Sequence, residues 1–175
     1  MRKILNEELG RLTPQEAAQA PKLNVVVVLD NVRSAQNVGA FFRTADAFAI
    51  DQIVLCGITA TPPSKEIHKS ALGAEMTVKW AKYDDTKEAV ETLKKNGFVI
   101  IAVEQVENSV MLNDAKINEK GKYALVFGNE VDGVAQDIVD MTDMTIEIPQ
   151  SGTKHSLNVS VAAGITMWEF YKQLK

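Results

Sequence analysis

A chain of 175 residues with a hydrophobic share of 46% and a charged share of 24% has the make-up of one globular domain that buries its own core, which excludes extended disorder. Its net charge of −4 weighs against a nucleic-acid partner unless a local basic patch meets the phosphates. No apolar run nears the roughly 20 residues of a bilayer span, the start MRKILNEELGRL lacks a signal peptide's apolar stretch, and one cysteine, Cys56, excludes internal disulfides, so a cytoplasmic protein is expected.

Leu23–Leu29 (LNVVVVL) is a continuous β-branched run, as in a strand covered on both faces. A helix is predicted over Val38–Phe48, with Asn37 as its N-cap and Phe41, Phe42 and Ala45 on its apolar face. Gln52–Cys56 reads as the next strand, Thr61–Ser64 (TPPS) as a loop, and Asp85–Lys95 as a helix closed by Asn96-Gly97. Phe98–Val103, Tyr123–Phe127 and Thr145–Ile148 supply three more strands, and a helix over Ser156–Leu174 ends the pattern. This alternation predicts an α/β fold with a mostly parallel sheet and helices on both faces. Without repeats, low-complexity tracts or linkers, residues 1–175 read as one domain, with 1–22 a short N-terminal extension. In the last helix Val161, Ile165, Met167, Trp168, Phe170, Tyr171 and Leu174 cover more than one face. Either the helix is wedged within its own chain, or its second apolar face meets another subunit.

Familiar catalytic motifs are excluded by spacing. The segment GNEVDG lacks the G-x-G-x-x-G of a dinucleotide turn, and Val134-Ala135 stand where a phosphate loop needs Lys-Ser/Thr. His68 and His155 are the only histidines, no Cys/His cluster is spaced for zinc, and no G-x-S-x-G elbow occurs, so no metal ligands are assigned.

Three segments carry more polarity than a fold requires. In Asn31–Asp46 (NVRSAQNVGAFFRTAD), Asn37 and Arg43 lie under two turns apart and can both point to the carboxyl end of the first strand, where open parallel sheets bind ligands. The alternative is a surface Arg43 paired with Asp46 at i+3. Leu125–Gly133 (LVFGNEVDG) runs a strand into Gly-Asn-Glu, offering backbone N–H groups and a carboxylate, or simply a tight turn with a solvated acid. In Ile146–Ala163 (IEIPQSGTKHSLNVSVAA), Ser156, Asn158 and Ser160 alternate with apolar residues. Capping needs one such residue; the surplus suggests a ligand pocket.

Together the stretches NVGAFFRTADA, LVFGNEVDG and IPQSGTKHSLNVSVA resemble the signature motifs of the SpoU–TrmH family of RNA ribose 2′-O-methyltransferases, in the SPOUT class. The resemblance implies a fold that the element pattern does not supply, a deep C-terminal trefoil knot, against the general rarity of knots. It implies S-adenosylmethionine as cofactor, RNA as substrate (tRNA before rRNA), and a homodimer whose subunits complete each site together. By position, Arg43 matches the catalytic arginine proposed to help remove the 2′-hydroxyl proton, Asn37 its motif partner, and Glu130 the acid of the second motif. Ser156 and Asn158 match the third motif's polar pair, Asn158 supporting the site and Ser156 meeting RNA phosphate. Gly128, Ile148 and Leu157 match backbone positions that hold the cofactor, and Val103-Glu104-Gln105 the place where its adenosine lies.

An unperturbed guanidinium, with a pKa above about 12, is a poor base near neutrality. Arg43 therefore either is perturbed by its surroundings or stabilises the developing alkoxide electrostatically. Arg2, Lys3, Arg11, Lys22, Arg33, Lys65, Lys69 and Lys154 are available for RNA. The alternatives to a tRNA-directed enzyme are an rRNA 2′-O-methyltransferase, a non-catalytic RNA-binding protein on the same fold, and a nucleotide-binding oxidoreductase, against which the missing glycine fingerprint counts.

Overall fold

The computed structural model describes Met1–Lys175 apart from the side chains of Asn6 and Ala18. Seven strands form one parallel sheet: β1 (Leu23–Asp30), β2 (Ile50–Cys56), β3 (Lys79–Tyr83), β4 (Val99–Val103), β5 (Val110–Met111), β6 (Tyr123–Phe127) and β7 (Met144–Glu147). Their spatial order is β3-β2-β1-β6-β4-β7-β5, so later strands are inserted between earlier ones. The helices are α1 (Pro14–Gln19), α2 (Ala35–Ala47), α3 (Lys65–Ala71), α4 (Thr86–Lys95), α5 (Gln136–Val139) and α6 (Val159–Leu174).

The valine run of β1 feeds two cores at once. Val25, Val27 and Leu29 face a layer made by α2, α3 and α6, while Val26 and Val28 face α4 and α5. Side chains alternate along a strand, so the stretch of β1 buried on both faces is apolar throughout, with Asn24 and Asp30 only at its ends. On α2, Phe41 and Phe42 are fully buried, and the Phe41 ring meets Phe127 edge-on at 5.2 Å. Burying each such ring contributes on the order of 1.5–3 kcal/mol. At Gly39 a Cβ would collide with Ser70 Oγ and the Ile67 carbonyl, so α2 and α3 approach closely only because that residue is glycine.

Several predicted boundaries shift for local reasons. Ser34, not Asn37, caps α2: its Oγ accepts from the Asn37 amide at 3.3 Å, and the helix starts at Ala35. Asn37 thus sits inside the first turn with its side chain free for other partners. At the last helix, Asn158 Oδ1 accepts from the Ser160 and Val161 amides at 2.9 and 3.4 Å, so α6 begins at Val159 and Ser156 lies in the preceding loop. The predicted stop at Asn96-Gly97 holds, with Gly97 at φ +80°. Among the described residues no helix is long and apolar enough to cross a membrane.

On α6, Ala163, Thr166, Met167 and Phe170 are buried, while Val161, Ile165 and Trp168 are 50%, 39% and 50% exposed. These three lie at i, i+4 and i+7, one continuous apolar stripe beside the covered face. The Trp168 ring stacks on Tyr171 at 5.8 Å and tilts against Phe48 at 5.7 Å, which fixes it in place on the surface.

Candidate active site

A cavity of about 500 Å³ opens at the carboxyl edge of the sheet, between the exits of β4, β6 and β7 and the start of α6. This is the edge at which parallel α/β sheets bind ligands. Val103, Glu104, Gln105, Gly128, Glu130, Ile148, Ser156, Leu157 and Asn158 all line it, so nine of the residues singled out from the sequence meet at one place.

Its wall is the segment after β6. Asn129 and Gly133 exchange two backbone hydrogen bonds at 3.1 Å, and Asn129 Oδ1 accepts from the Val131 and Asp132 amides at 2.8 and 2.9 Å. A Cβ at Gly128 would run into the backbone of Gly133 and Val134, so the tight return demands glycine there. The tip of this turn carries Glu130 across to the start of α2. Its carboxylate accepts from the amides of Arg33 and Ser34 at 2.9 and 3.0 Å and from Asn37 Nδ2 at 2.7 Å. Desolvation pushes the Glu130 pKa up, but the hydrogen bonds from Arg33, Asn37 and Ser34 outweigh it and hold the group below the usual glutamate value. Asn37 Oδ1 in turn accepts from Asn158 Nδ2 at 3.3 Å. One hydrogen-bonded chain, Asn158–Asn37–Glu130, therefore joins the three sequence segments.

Arg43 is elsewhere. It lies on α2 six residues past Asn37, about 9 Å along the axis, on the stretch running back from the sheet's carboxyl edge. It is exposed and lines no part of this cavity. Asn37 sits at that edge, and Arg43 lies six residues farther along α2, which starts at the edge and leads away from it. The alternative pairing with Asp46 is absent: Asp46 Oδ1 accepts from Thr77 Oγ1 at 2.9 Å.

The cavity's charge is one-sided. Glu104, Glu130, Asp132 and Glu147 line it, and no lysine, arginine or histidine does. Among the described residues none of the four takes part in a salt bridge. Glu147 Oε2 accepts only from Ser109 Oγ at 2.9 Å, and Gln105 Nε2 ties the rim to the His155 carbonyl at 3.0 Å. Among the described residues no group of three or more potential metal ligands is gathered. Cys56 is buried away from the cavity, and desolvation pushes its thiol up to about 12, so it is no nucleophile.

Sequence reasoning missed Asp30. It ends β1, is 2% exposed, and accepts from Thr86 Oγ1 at 2.6 Å, Asn31 Nδ2 at 2.9 Å and the Ala135 amide at 3.0 Å. The available signal was a carboxylate closing an otherwise unbroken apolar run.

A parallel sheet with a glycine-walled cavity at its carboxyl edge, joined to a chain of hydrogen-bonded polar side chains, defines an α/β protein with the kind of pocket that binds a small molecule. The chain belongs to the SpoU rRNA Methylase family, whose model matches residues 24–168. It is 35% identical over 149 residues, 85% of this chain, to an uncharacterized tRNA/rRNA methyltransferase of Borreliella burgdorferi, of which it spans 64%. It is 32% identical over 171 residues, 97% of this chain, to the tRNA (guanosine(18)-2′-O)-methyltransferase of Aquifex aeolicus, of which it spans 78%. Of the Borreliella relative and a Staphylococcus saprophyticus TrmH-family tRNA/rRNA methyltransferase, of which it spans 62%, it covers less than two thirds. Among solved structures, the A. aeolicus TrmH/SpoU tRNA modifying enzyme superposes with a TM-score of 0.81 at 30% identity, covering 91% of this chain and 80% of that one. The AdoMet-bound rRNA methyltransferase of Sinorhizobium meliloti gives 0.80 at 28% identity, over 94% and 62% of the two chains.

Proposed function

We propose that the protein is an RNA (ribose-2′-O-)methyltransferase that uses S-adenosylmethionine and acts on tRNA. The observation that carries this reading is the acid-lined cavity joined to the hydrogen-bonded motif chain Asn158–Asn37–Glu130. At neutral pH the donor carries a sulfonium and an ammonium against one carboxylate, a net positive charge. Four unneutralised carboxylates suit it and would repel a dinucleotide's phosphates, which sets the oxidoreductase alternative aside. The cavity's size also falls within the range of small-molecule sites, roughly 300–1,000 Å³.

The residues fit the donor as follows. Gly128 and Gly133 let the backbone approach closely, Ile148 and Leu157 offer apolar wall and main-chain groups, and Val103 and Glu104 lie where the adenosine would rest. When bound, the donor supplies an electrophilic methyl group on sulfonium. The protein's part is to hold the ribose hydroxyl in line, to exclude water, and to manage one proton. Glu130 organises Asn37 and the first turn of α2, Asn158 extends that order to the start of α6, and Ser156 at the rim is placed for an RNA phosphate. An acid-lined cavity cannot attract RNA itself, so cations outside it must do so; Arg33 and Lys154 are exposed near the rim. Arg43 reaches the reacting hydroxyl in the reading that two subunits share each site, with the Val161–Ile165–Trp168 stripe as the homodimer interface.

The unit of function is one domain over residues 1–175, working in the cytoplasm. Its C-terminal part is threaded as a trefoil knot, a reading supported by the insertion of β6 between β1 and β4 and of β7 between β4 and β5. The test is transfer of tritium from S-adenosylmethionine to unmodified tRNA and rRNA transcripts, with nuclease digestion to identify a 2′-O-methyl nucleoside. Transfer to tRNA supports the proposal, and transfer to rRNA alone moves the substrate. Tight RNA binding without transfer favours the binding-only protein.

A further inference from the structure

Glu104 and Asp30 grip consecutive backbone amides from two different strands. Glu104, just beyond β4, accepts from the Val134 amide at 3.0 Å through Oε2 and from the Gln105 amide at 2.9 Å through Oε1. Asp30, at the end of β1, accepts from the Ala135 amide at 3.0 Å through Oδ2. Its other oxygen is held by Thr86 and Asn31, and Asn31 Oδ1 accepts from the Ile58 amide at 3.1 Å, so the jaw is fixed to the β2 exit and the start of α4. Between the clamped amides and β6 lies the turn that walls the cavity, already rigid within itself.

A buried carboxylate satisfied only by neutral donors is costly to keep, and an apolar residue would continue β1 at no such cost. We propose that Asp30 and Glu104 are positioning residues: a two-carboxylate clamp that sets the Gly128–Gly133 wall against the donor. This inference rests on the methyltransferase reading above. Without the clamp the wall keeps its internal bonds, its Glu130 tether to α2 and the β6 pairing at its start, but its far end at Val134–Ala135 loses its ties to the ends of β1 and β4. The consequence falls on donor binding before it falls on the chemical step.

The experiment compares wild type, Glu104→Gln, Glu104→Ala and Asp30→Asn by calorimetric titration with S-adenosylmethionine, by steady-state kinetics varying the donor, by RNA binding, and by melting without ligand. Glu104→Gln keeps one acceptor and is expected to weaken donor binding roughly tenfold; Glu104→Ala, which keeps none, weakens it further. In both, KM for the donor rises by a larger factor than kcat falls, RNA affinity is held, and melting shifts little. Asp30→Asn, outside the cavity, shows the same split, which direct contact of Glu104 with the donor would not produce; if that buried variant does not fold, Thr86→Val, which removes a hydrogen bond to Asp30 and also lies outside the cavity, decides. Equal donor affinity in wild type and Glu104→Ala overturns the clamp, as does a fall in melting temperature, kcat and RNA affinity together. Should wild type bind no donor and transfer no methyl group, the functional reading fails first and the clamp with it.

Discussion

Replacing Glu130 with glutamine tests the joint that links the cavity wall to α2. The carboxylate receives three hydrogen bonds, from the Arg33 and Ser34 amides and from Asn37 Nδ2, and a glutamine can offer one oxygen while its NH₂ confronts the remaining donors. A hydrogen bond to a charged group is worth about 1.5–3 kcal/mol, and the exposure of Glu130 argues for the low end. Removing a charge from a helix N-terminus costs about 0.3–1 kcal/mol more. The sum is about 2 kcal/mol, which at roughly 2–4 °C per kcal/mol for a chain of this size lowers the melting temperature by about 4–8 °C. The pH dependence has a definite sign. Because the folded pKa lies below the unfolded value near 4.5, the carboxylate's contribution is complete above that value and disappears as pH falls through the folded pKa. Scanning calorimetry should therefore show a gap between wild type and Glu130→Gln at neutral pH that closes in acid. Identical melting at neutral pH, or a gap that persists once the wild-type carboxylate is protonated, refutes the assignment.

Arg43→Ala should abolish methyl transfer while leaving the melting temperature within about 1–2 °C of wild type, since an exposed side chain away from buried features contributes little; retained transfer removes Arg43 from the mechanism. The proposed dimer is tested by Trp168→Glu, which places a charge in the exposed stripe of α6: a wild-type dimer should become a monomer in analytical ultracentrifugation with loss of transfer, whereas an unchanged sedimentation coefficient moves the interface elsewhere. The acid-lined cavity should bind the sulfonium donor about tenfold more tightly than its neutral demethylated product, an excess that shrinks as salt rises. Equal affinities in low salt would show that the cavity's charge does not act on the sulfur.

The sequence revealed the interior of this fold better than its margins. Val25–Leu29 of β1, Ile100–Ala102 of β4 and Tyr123–Phe127 of β6 are apolar without a break because both faces are covered, as is the shorter run Ile53–Cys56 of β2. β3 (KWAKY) was read as nothing, being an edge strand with Lys79 and Trp80 exposed; α3 (KEIHKSA) buries only Ile67 and Ala71, too few for a visible period. The start of α2 was misplaced because Ser34 and Asn37 are both good capping residues three apart, and propensity cannot choose between them. The choice has a functional consequence: Ser34 takes the cap and so releases Asn37 to bridge Glu130 and Asn158. That convergence spans up to 121 residues of sequence, and no local pattern encodes it. It was legible only through the resemblance of the three motifs, and Asp30, which lies outside all of the matching stretches, was not legible at all.

Arg43 poses the remaining geometric question, and it has a decisive experiment. The charged residues of the cavity are all acids, while the guanidinium proposed for the reacting hydroxyl stands on the receding part of α2. Within one chain α2 is held at its start by Ser34 and Glu130 and along its length by buried Phe41 and Phe42, which keeps Arg43 on the receding part of the helix; the proposed dimer would bring it in from a second subunit. In that proposed symmetric dimer each site would be built from Arg43 of one chain and Asn158 of the other. Arg43→Ala and Asn158→Ala homodimers are each expected to be inactive. After unfolding and refolding together, half of the dimers are mixed, and each mixed dimer holds one site with both side chains intact and one with neither. Activity should return to about a quarter of wild type, the half share of mixed dimers times one site in two. Were each site built within a single chain, every site in the mixture would lack one of the two residues, and no activity would return at any mixing ratio.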